Sequence, residues 1–222
     1  MVKRILENNM KIGVFDSGIG GEAVARDLKK HFEHASIISV SDRANLPYGS
    51  KTPEQIKRLV DAAIQPLLEA NCDVIVIACN TATTIALPDL REHYPYQHFL
   101  GIEPMVKTAA SLSTHHIIAV CATPATLNST RYQYLKAQFA ISTKVLEPDC
   151  ADWASMIEND AINEAKIHRT VEEVITGGAD VIVLGCTHYH WIKSQIESIA
   201  DGRARVIEPT ESIAKRITQL VG

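Results

Sequence analysis

The chain has no excess of positive charge, no apolar run long enough to cross a bilayer, and no even set of cysteines. Its 22 Lys and Arg against 26 Asp and Glu leave a net charge of −4, so the electrostatic footprint of a nucleic-acid binder is missing. No segment approaches the ~20 consecutive apolar residues of a transmembrane helix. The opening residues, Met1-Val-Lys-Arg-Ile-Leu-Glu-Asn-Asn-Met10, start positive but reach Glu and Asn before a signal-peptide core develops. The expectation is a cytoplasmic protein with no membrane and no nucleic-acid partner. There its five cysteines, an odd number, stay reduced rather than forming a disulfide framework.

What the chain does have is a repeated phrase. Asp73-Val-Ile-Val-Ile-Ala-Cys79-Asn80-Thr81 returns as Asp180-Val-Ile-Val-Leu-Gly-Cys186-Thr187-His188, with the cysteines 107 positions apart. Each copy reads as a buried, β-branched strand that delivers a thiol to its C-terminal lip. The same 107-residue shift lays Ile12-Gly-Val-Phe-Asp16-Ser17 over Ala119-Val-Cys-Ala-Thr123-Pro124, which predicts two similar halves in a common register.

Short apolar runs alternate with longer amphipathic ones. Strands are expected near 11–15, 36–41, 73–78, 98–102, 117–121, 144–147, 181–185 and 205–207. Helices are expected over Glu54 to Ala70, Thr81 to Tyr94, Ala125 to Gln138, Asn163 to Thr176, Trp191 to Ala200 and Thr210 to Val221. This order predicts an α/β fold of two similar, pseudo-symmetric three-layer domains with mainly parallel sheets. The expected units are residues 1–101 plus 208–222 and residues 102–207, the last helix crossing back to the first half. In open parallel sheets the ligand site lies beyond the carboxyl ends of the strands, so Asp16, Cys79, Thr123 and Cys186 are expected to line one cleft between the halves.

Two opposed thiols suit the removal of a proton from one face of a carbon and delivery of another to the opposite face, which inverts a stereocentre without metal or pyridoxal chemistry. A buried cysteine is more often a small hydrophobe, and Cys72 and Cys121 fit that reading, with Cys150 open. The turn Ser17-Gly18-Ile19-Gly20-Gly21 after Asp16 is either an anion-binding helix start or a tight turn with Asp16 as cap. It lacks the P-loop lysine and the dinucleotide spacing. Pro47-Tyr48-Gly49 offers backbone N–H groups to a carboxylate or is an ordinary turn. Thr123 and Thr126 are contacts or caps. Cys186-x-His188-x-His190 lacks a familiar zinc spacing, so no metal is expected. A hydrolase with one cysteine nucleophile and His188 as base would leave the second cysteine without a role.

Phe15-Asp-Ser-Gly-Ile-Gly-Gly21, Pro47-Tyr-Gly49, Ala78-Cys-Asn-Thr-Ala82, Gly101-Ile-Glu-Pro104, Ala122-Thr-Pro-Ala-Thr126 and Leu184-Gly-Cys-Thr-His-Tyr189 together resemble the glutamate racemases, in order and across nearly the whole chain. The resemblance implies cofactor-independent interconversion of L- and D-glutamate for peptidoglycan synthesis by a homodimer. Cys79 would take the α-proton of D-glutamate and Cys186 that of L-glutamate, helped by Asp16, His188 and Glu158. Ser17, Pro47, Tyr48, Gly49, Asn80, Thr81, Thr123, Thr126 and Thr187 match substrate-contacting positions. The alternatives are racemisation of another acidic amino acid such as aspartate, or a gyrase-inhibiting, partner-binding member of the fold. His190 stands where the family usually has proline, and Glu208-Pro209 where it often has Asp-Ser. The chain also ends sooner after its last helix than most members do.

Overall fold

In the computed structural model the described residues are 10–221; the opening stretch judged against a signal peptide lies outside them, apart from Met10. The chain runs β1 (Lys11–Asp16), α1 (Gly20–His31), β2 (Ser36–Ser41), two 3-10 turns (Arg43–Asn45 and Tyr48–Ser50), α2 (Pro53–Ala63), α3 (Gln65–Glu69), β3 (Val74–Ile77), α4 (Asn80–His93) and β4 (His98–Gly101). It continues through α5 (Val106–Leu112), β5 (Ile117–Cys121), α6 (Pro124–Leu127), α7 (Thr130–Phe139), β6 (Lys144–Leu146), α8 (Trp153–Glu158), α9 (Glu164–Thr176) and β7 (Val181–Leu184). A 3-10 turn (Thr187–Ile192), α10 (Lys193–Ala200), β8 (Arg205–Ile207) and α11 (Thr210–Val221) complete it. Among the described residues no helix is long and apolar enough to cross a membrane.

The strands form two all-parallel sheets of four, ordered β2-β1-β3-β4 and β6-β5-β7-β8. The chain divides into two α/β units: one reaches Ile102 and takes back the segment from Pro209, and the other is Glu103–Glu208. The strand that leads to each cysteine, β3 in one sheet and β7 in the other, is buried at every position, as β-branched runs covered on both faces must be.

In the first unit, alternation along β1 and β3 feeds two cores. Ile12, Val14, Val74 and Val76 meet Val24 and Leu28 of α1 and Ile213, Ala214 and Ile217 of α11. Phe15, Ile75 and Ile77 meet Ile56 and Val60 of α2 and Leu87 and Leu90 of α4. In the second unit Ile118, Val120, Val181 and Val183 pack with Val106, Ala109, Tyr132 and Leu135.

Three details depart from expectation. The helix foreseen over Glu54 to Ala70 breaks at Ile64, because Pro66 has no N–H to continue the helical ladder. The one foreseen over Ala125 to Gln138 breaks at Asn128-Ser129, where Ser129 accepts from the Tyr132 N–H and starts a new helix. The common register is also off by one for the first strands. Ile12 pairs with Val74 and Ile118 with Val181, so the second half carries one extra residue between its two inner strands. Asp16 therefore corresponds to Ala122, and Ser17 to Thr123.

The aspartate that opens each repeat is a clamp. The Asp73 carboxylate accepts from the Lys11 N–H at 2.7 Å. Asp180 accepts from the Thr114 N–H (2.6 Å), the Thr114 hydroxyl (2.8 Å), the His115 N–H (2.9 Å) and the Ser113 hydroxyl. Burial works to raise the Asp180 carboxyl, yet these bonds together hold it well below the usual carboxylate range. A carboxyl depressed in the folded state stabilises fully above its unfolded value near ~4 and loses that contribution progressively as pH falls from there to the depressed folded value. Asp180→Ala should cost about 1–3 kcal/mol at neutral pH, and urea unfolding should show the gap to wild type narrowing below about pH 4. A gap that stays constant with pH would count against the clamp.

Candidate active site

In the first unit the lip is built by β1 and β3. Asp16 is the last residue of β1, almost wholly buried, and its Oδ1 accepts from the Gly18 N–H at 2.7 Å. The N-terminal flank of α1 is Ile19, without a side-chain cap, so Asp16 closes the turn rather than capping the helix. A Cβ on Gly21 would lie 2.5 Å from the Asp16 Cβ; this glycine is needed for the helix to pass over the carboxylate, not for approach to an anion.

Cys79 occupies the N-cap position of α4 and is 7% exposed. The Ser17 hydroxyl donates to its sulfur at 3.3 Å. Burial and the neighbouring Asp16 charge push the thiol up to about 11, against the opposing pull of the Ser17 hydroxyl and the Ala82 and Ser17 N–H groups. The balance favours the thiol over the thiolate. Beside it, Asn80 is buried with neither its amide nitrogen nor its amide oxygen hydrogen-bonded. With Thr81 it opens the helix, where backbone N–H groups lack internal acceptors. An orphaned buried amide at a helix N-terminus is a place for a polar ligand. The Tyr48 ring is buried in the core beside Phe15, and its hydroxyl donates to Asp42 Oδ2 at 2.7 Å. What Pro47-Tyr48-Gly49 can offer a ligand is therefore backbone.

The second unit builds its lip from β5 and β7. Gly185 takes the residue before the thiol because a Cβ there would sit 2.9 Å from the Ala122 Cβ. Cys186 is 8% exposed, with its sulfur 3.8 Å from His188 Nδ1, and His188 Nε2 lies 2.8 Å from Glu158 Oε2. A carboxylate can only accept, so this contact puts a proton on Nε2, and in the neutral ring Nδ1 is then the acceptor facing the thiol. The arrangement can take a proton from Cys186. Glu158 closes the six-residue α8, whose Trp153 packs edge-on to Tyr189 at 5.3 Å, while the Tyr189 hydroxyl donates to the Cys150 carbonyl at 2.8 Å.

Thr123 accepts from the Thr126 N–H, donates to its hydroxyl at 3.1 Å, and leaves Thr126 wholly buried. Thr187 is buried beside the thiol. His190 diverges from His188 and faces Glu208, Nδ1 to Oε2 3.9 Å. Among the described residues no three or more His, Cys, Asp or Glu side chains group as a metal ion would require. Cys150 shares a hydrogen bond with Cys121 in the core; that bond and burial push its thiol far up, so both fill space. No sequence pattern points to Asp42, since nothing in its spacing announces a contact with Tyr48.

The family model for "Asp/Glu/Hydantoin racemase" matches residues 20–217. Glutamate racemase of Roseiflexus sp. (strain RS-1) is 35% identical over 214 residues, covering 95% of this chain and 79% of the relative. Among solved structures, Escherichia coli glutamate racemase in complex with L-glutamate and the activator UDP-MurNAc-ala superposes with a TM-score of 0.83 at 27% identity, over 96% of this chain and 82% of that one. Glutamate racemase of Francisella tularensis subsp. tularensis SCHU S4 in complex with D-glutamate gives 0.78 at 29% identity, over 97% and 81%.

The opposing influences on Cys79 can be separated. Asp16→Asn removes the repulsion that disfavours a thiolate, and Ser17→Ala removes a donor that favours it. At mildly alkaline pH, labelling of Cys79 by iodoacetamide, followed by mass spectrometry, should be several-fold faster than wild type in the first variant and slower in the second. The reverse order would show that Asp16 does not govern the thiol.

Proposed function

Since the chain belongs to the Asp/Glu/hydantoin racemase family, we propose that it is a glutamate racemase whose two thiols act as a proton-exchanging pair without cofactor. The observation that carries this reading is the equivalent placement of Cys79 and Cys186, each two residues beyond the inner strand of its sheet and each beside its own helper. A racemase needs one base and one acid, and a duplicated strand end supplies the same functional group twice.

With D-glutamate, Cys79 as thiolate takes the α-proton. The Cα–H pair is left delocalised into the α-carboxylate, and Cys186 as thiol delivers its proton to the other face. The product leaves the protonation states exchanged, and L-glutamate runs the steps in reverse. Asp16 is the group beside Cys79 that receives its thiol proton, and His188, held by Glu158, does so for Cys186. Asn80, Thr81 and the start of α4 receive one substrate carboxylate with Thr187, and Ser17 with Pro47-Tyr48-Gly49 receives the other. Thr123, with Thr126 fixed behind it, is the further substrate-contact candidate that the second unit contributes. Both carboxylates then meet fixed donors, which supports glutamate over the shorter aspartate. A cytoplasmic homodimer that supplies D-glutamate to cell-wall synthesis completes the proposal.

Incubation with L-glutamate in D2O should give α-deuteration and the D-enantiomer together, with glutamate exceeding aspartate by a large factor in kcat/KM; comparable rates would move the assignment to another acidic amino acid. Cys79→Ala and Cys186→Ala should each abolish racemisation yet differ on a glutamate analogue with a β-leaving group, which needs only the first proton removed. Cys79→Ala should eliminate from the L form and Cys186→Ala from the D form. Residual activity of the same handedness in both variants would refute the two-base assignment.

A further inference from the structure

Asp42 has been given no role in the reaction, yet it joins the Asp16–Cys79 lip to the loop that carries Pro47-Tyr48-Gly49. It is the first residue after β2, and its N–H donates to the Asp16 carbonyl at 3.1 Å. Its two carboxylate oxygens are divided between the two 3-10 turns that follow. Oδ1 accepts from the Asn45 amide at 2.9 Å, and Oδ2 accepts from the Tyr48 hydroxyl at 2.7 Å. The Tyr48 ring is 2% exposed and lies 6.5 Å, centroid to centroid, from Phe15, the residue before Asp16. A buried phenol needs an acceptor, and its single O–H is committed to Asp42. Burial and that carboxylate also push the phenol far above its ordinary range, so Tyr48 has no proton to give a substrate. The loop is thus tied to the lip twice, by ring packing and by one carboxylate.

We propose that Asp42 is a positioning residue for substrate binding: it fixes the backbone of Pro47-Tyr48-Gly49 against the Asp16 lip so that the N–H groups of Tyr48 and Gly49 stand ready for one carboxylate of the substrate. The inference rests on the glutamate reading above. The chemistry favours a charged acceptor here because one group must hold two donors from successive turns, and a carboxylate offers an oxygen to each without presenting a donor of its own. The rigidity this gives the loop removes an ordering cost that binding would otherwise carry.

Steady-state kinetics of Asp42→Ala, Asp42→Asn and Tyr48→Phe on glutamate test this. Asp42→Ala should raise KM by about tenfold or more with a much smaller change in kcat, which is the mark of lost uniform binding. Asp42→Asn keeps the shape and one acceptor for the phenol but sets its amide nitrogen against the Asn45 amide, so it should recover part of the loss and fall between wild type and Asp42→Ala. It also keeps the test alive if the alanine variant does not fold. Tyr48→Phe should raise KM too, and the double variant Asp42→Ala with Tyr48→Phe should be no worse than the worse single one, because each acts through the other. An unchanged KM, a loss confined to kcat, or effects that multiply would overturn the proposal. A wild-type protein that fails to deuterate glutamate at the α-carbon would instead overturn the reading on which it rests.

Discussion

Everything at either thiol depends on one backbone hydrogen bond made just past the end of the inner strand. The Ala78 N–H donates to the Phe15 carbonyl, and the Gly185 N–H to the Cys121 carbonyl, both at 2.7 Å. Each bond carries the parallel ladder one step beyond the regular strand, so the next residue leaves the sheet at a fixed point, and that residue is the cysteine. At the other end of the same strands Asp73 and Asp180 bind the segment that leads into the neighbouring strand. The strand between is four residues long and buried throughout. A strand held at both ends and covered on both faces has no freedom to slide, since a shift by one residue would break the bonds at both ends and repack every side chain between them.

On this common frame the halves treat their thiols differently. Asp16 stands over Cys79 as a negative neighbour and works against ionisation, offset in part by the Ser17 hydroxyl and the helix N–H groups. Cys186 faces an imidazole whose other nitrogen is taken by Glu158. The one-residue difference in register helps to account for this. The position equivalent to Asp16 is Ala122, so the second half has no carboxylate at that point and draws its helper from the turn after the thiol and from α8. Ser17 and Thr123, which do correspond, both carry hydroxyls, but the first reaches the sulfur while the second caps α6.

The sheets and the position of both cysteines were legible because a buried parallel strand must be apolar and β-branched, and the chain shows that pattern twice. The helix break at Ile64 is also readable, since Pro66 has no N–H to continue the ladder, and amphipathic periodicity runs across a proline without showing the break. The break before Thr130 was harder, because Ser129 acts as a cap only once the chain has turned. The Gly20-Gly21 pair suggested an anion, and only packing shows that the close approach is to Asp16 itself. Glu158 came from the resemblance alone. Its contact with His188 joins residues 30 positions apart through the packing of α8 on the 3-10 turn Thr187–Ile192, which no local pattern encodes, with Trp153 against Tyr189 at its centre.

The helix Thr210–Val221 is the last element of the chain, yet Ile213, Ala214 and Ile217 lie in the core of the unit that begins with β1. A ribosome delivers residues in order, and domains generally fold as units as they emerge. The unit from Glu103 to Glu208 is continuous and has all its parts before synthesis ends. The other has β1, β3 and α1 made first but must wait for Thr210–Val221, made only after Glu208, to cover one face of its sheet. The half of the protein that is born first is therefore the half that is finished last.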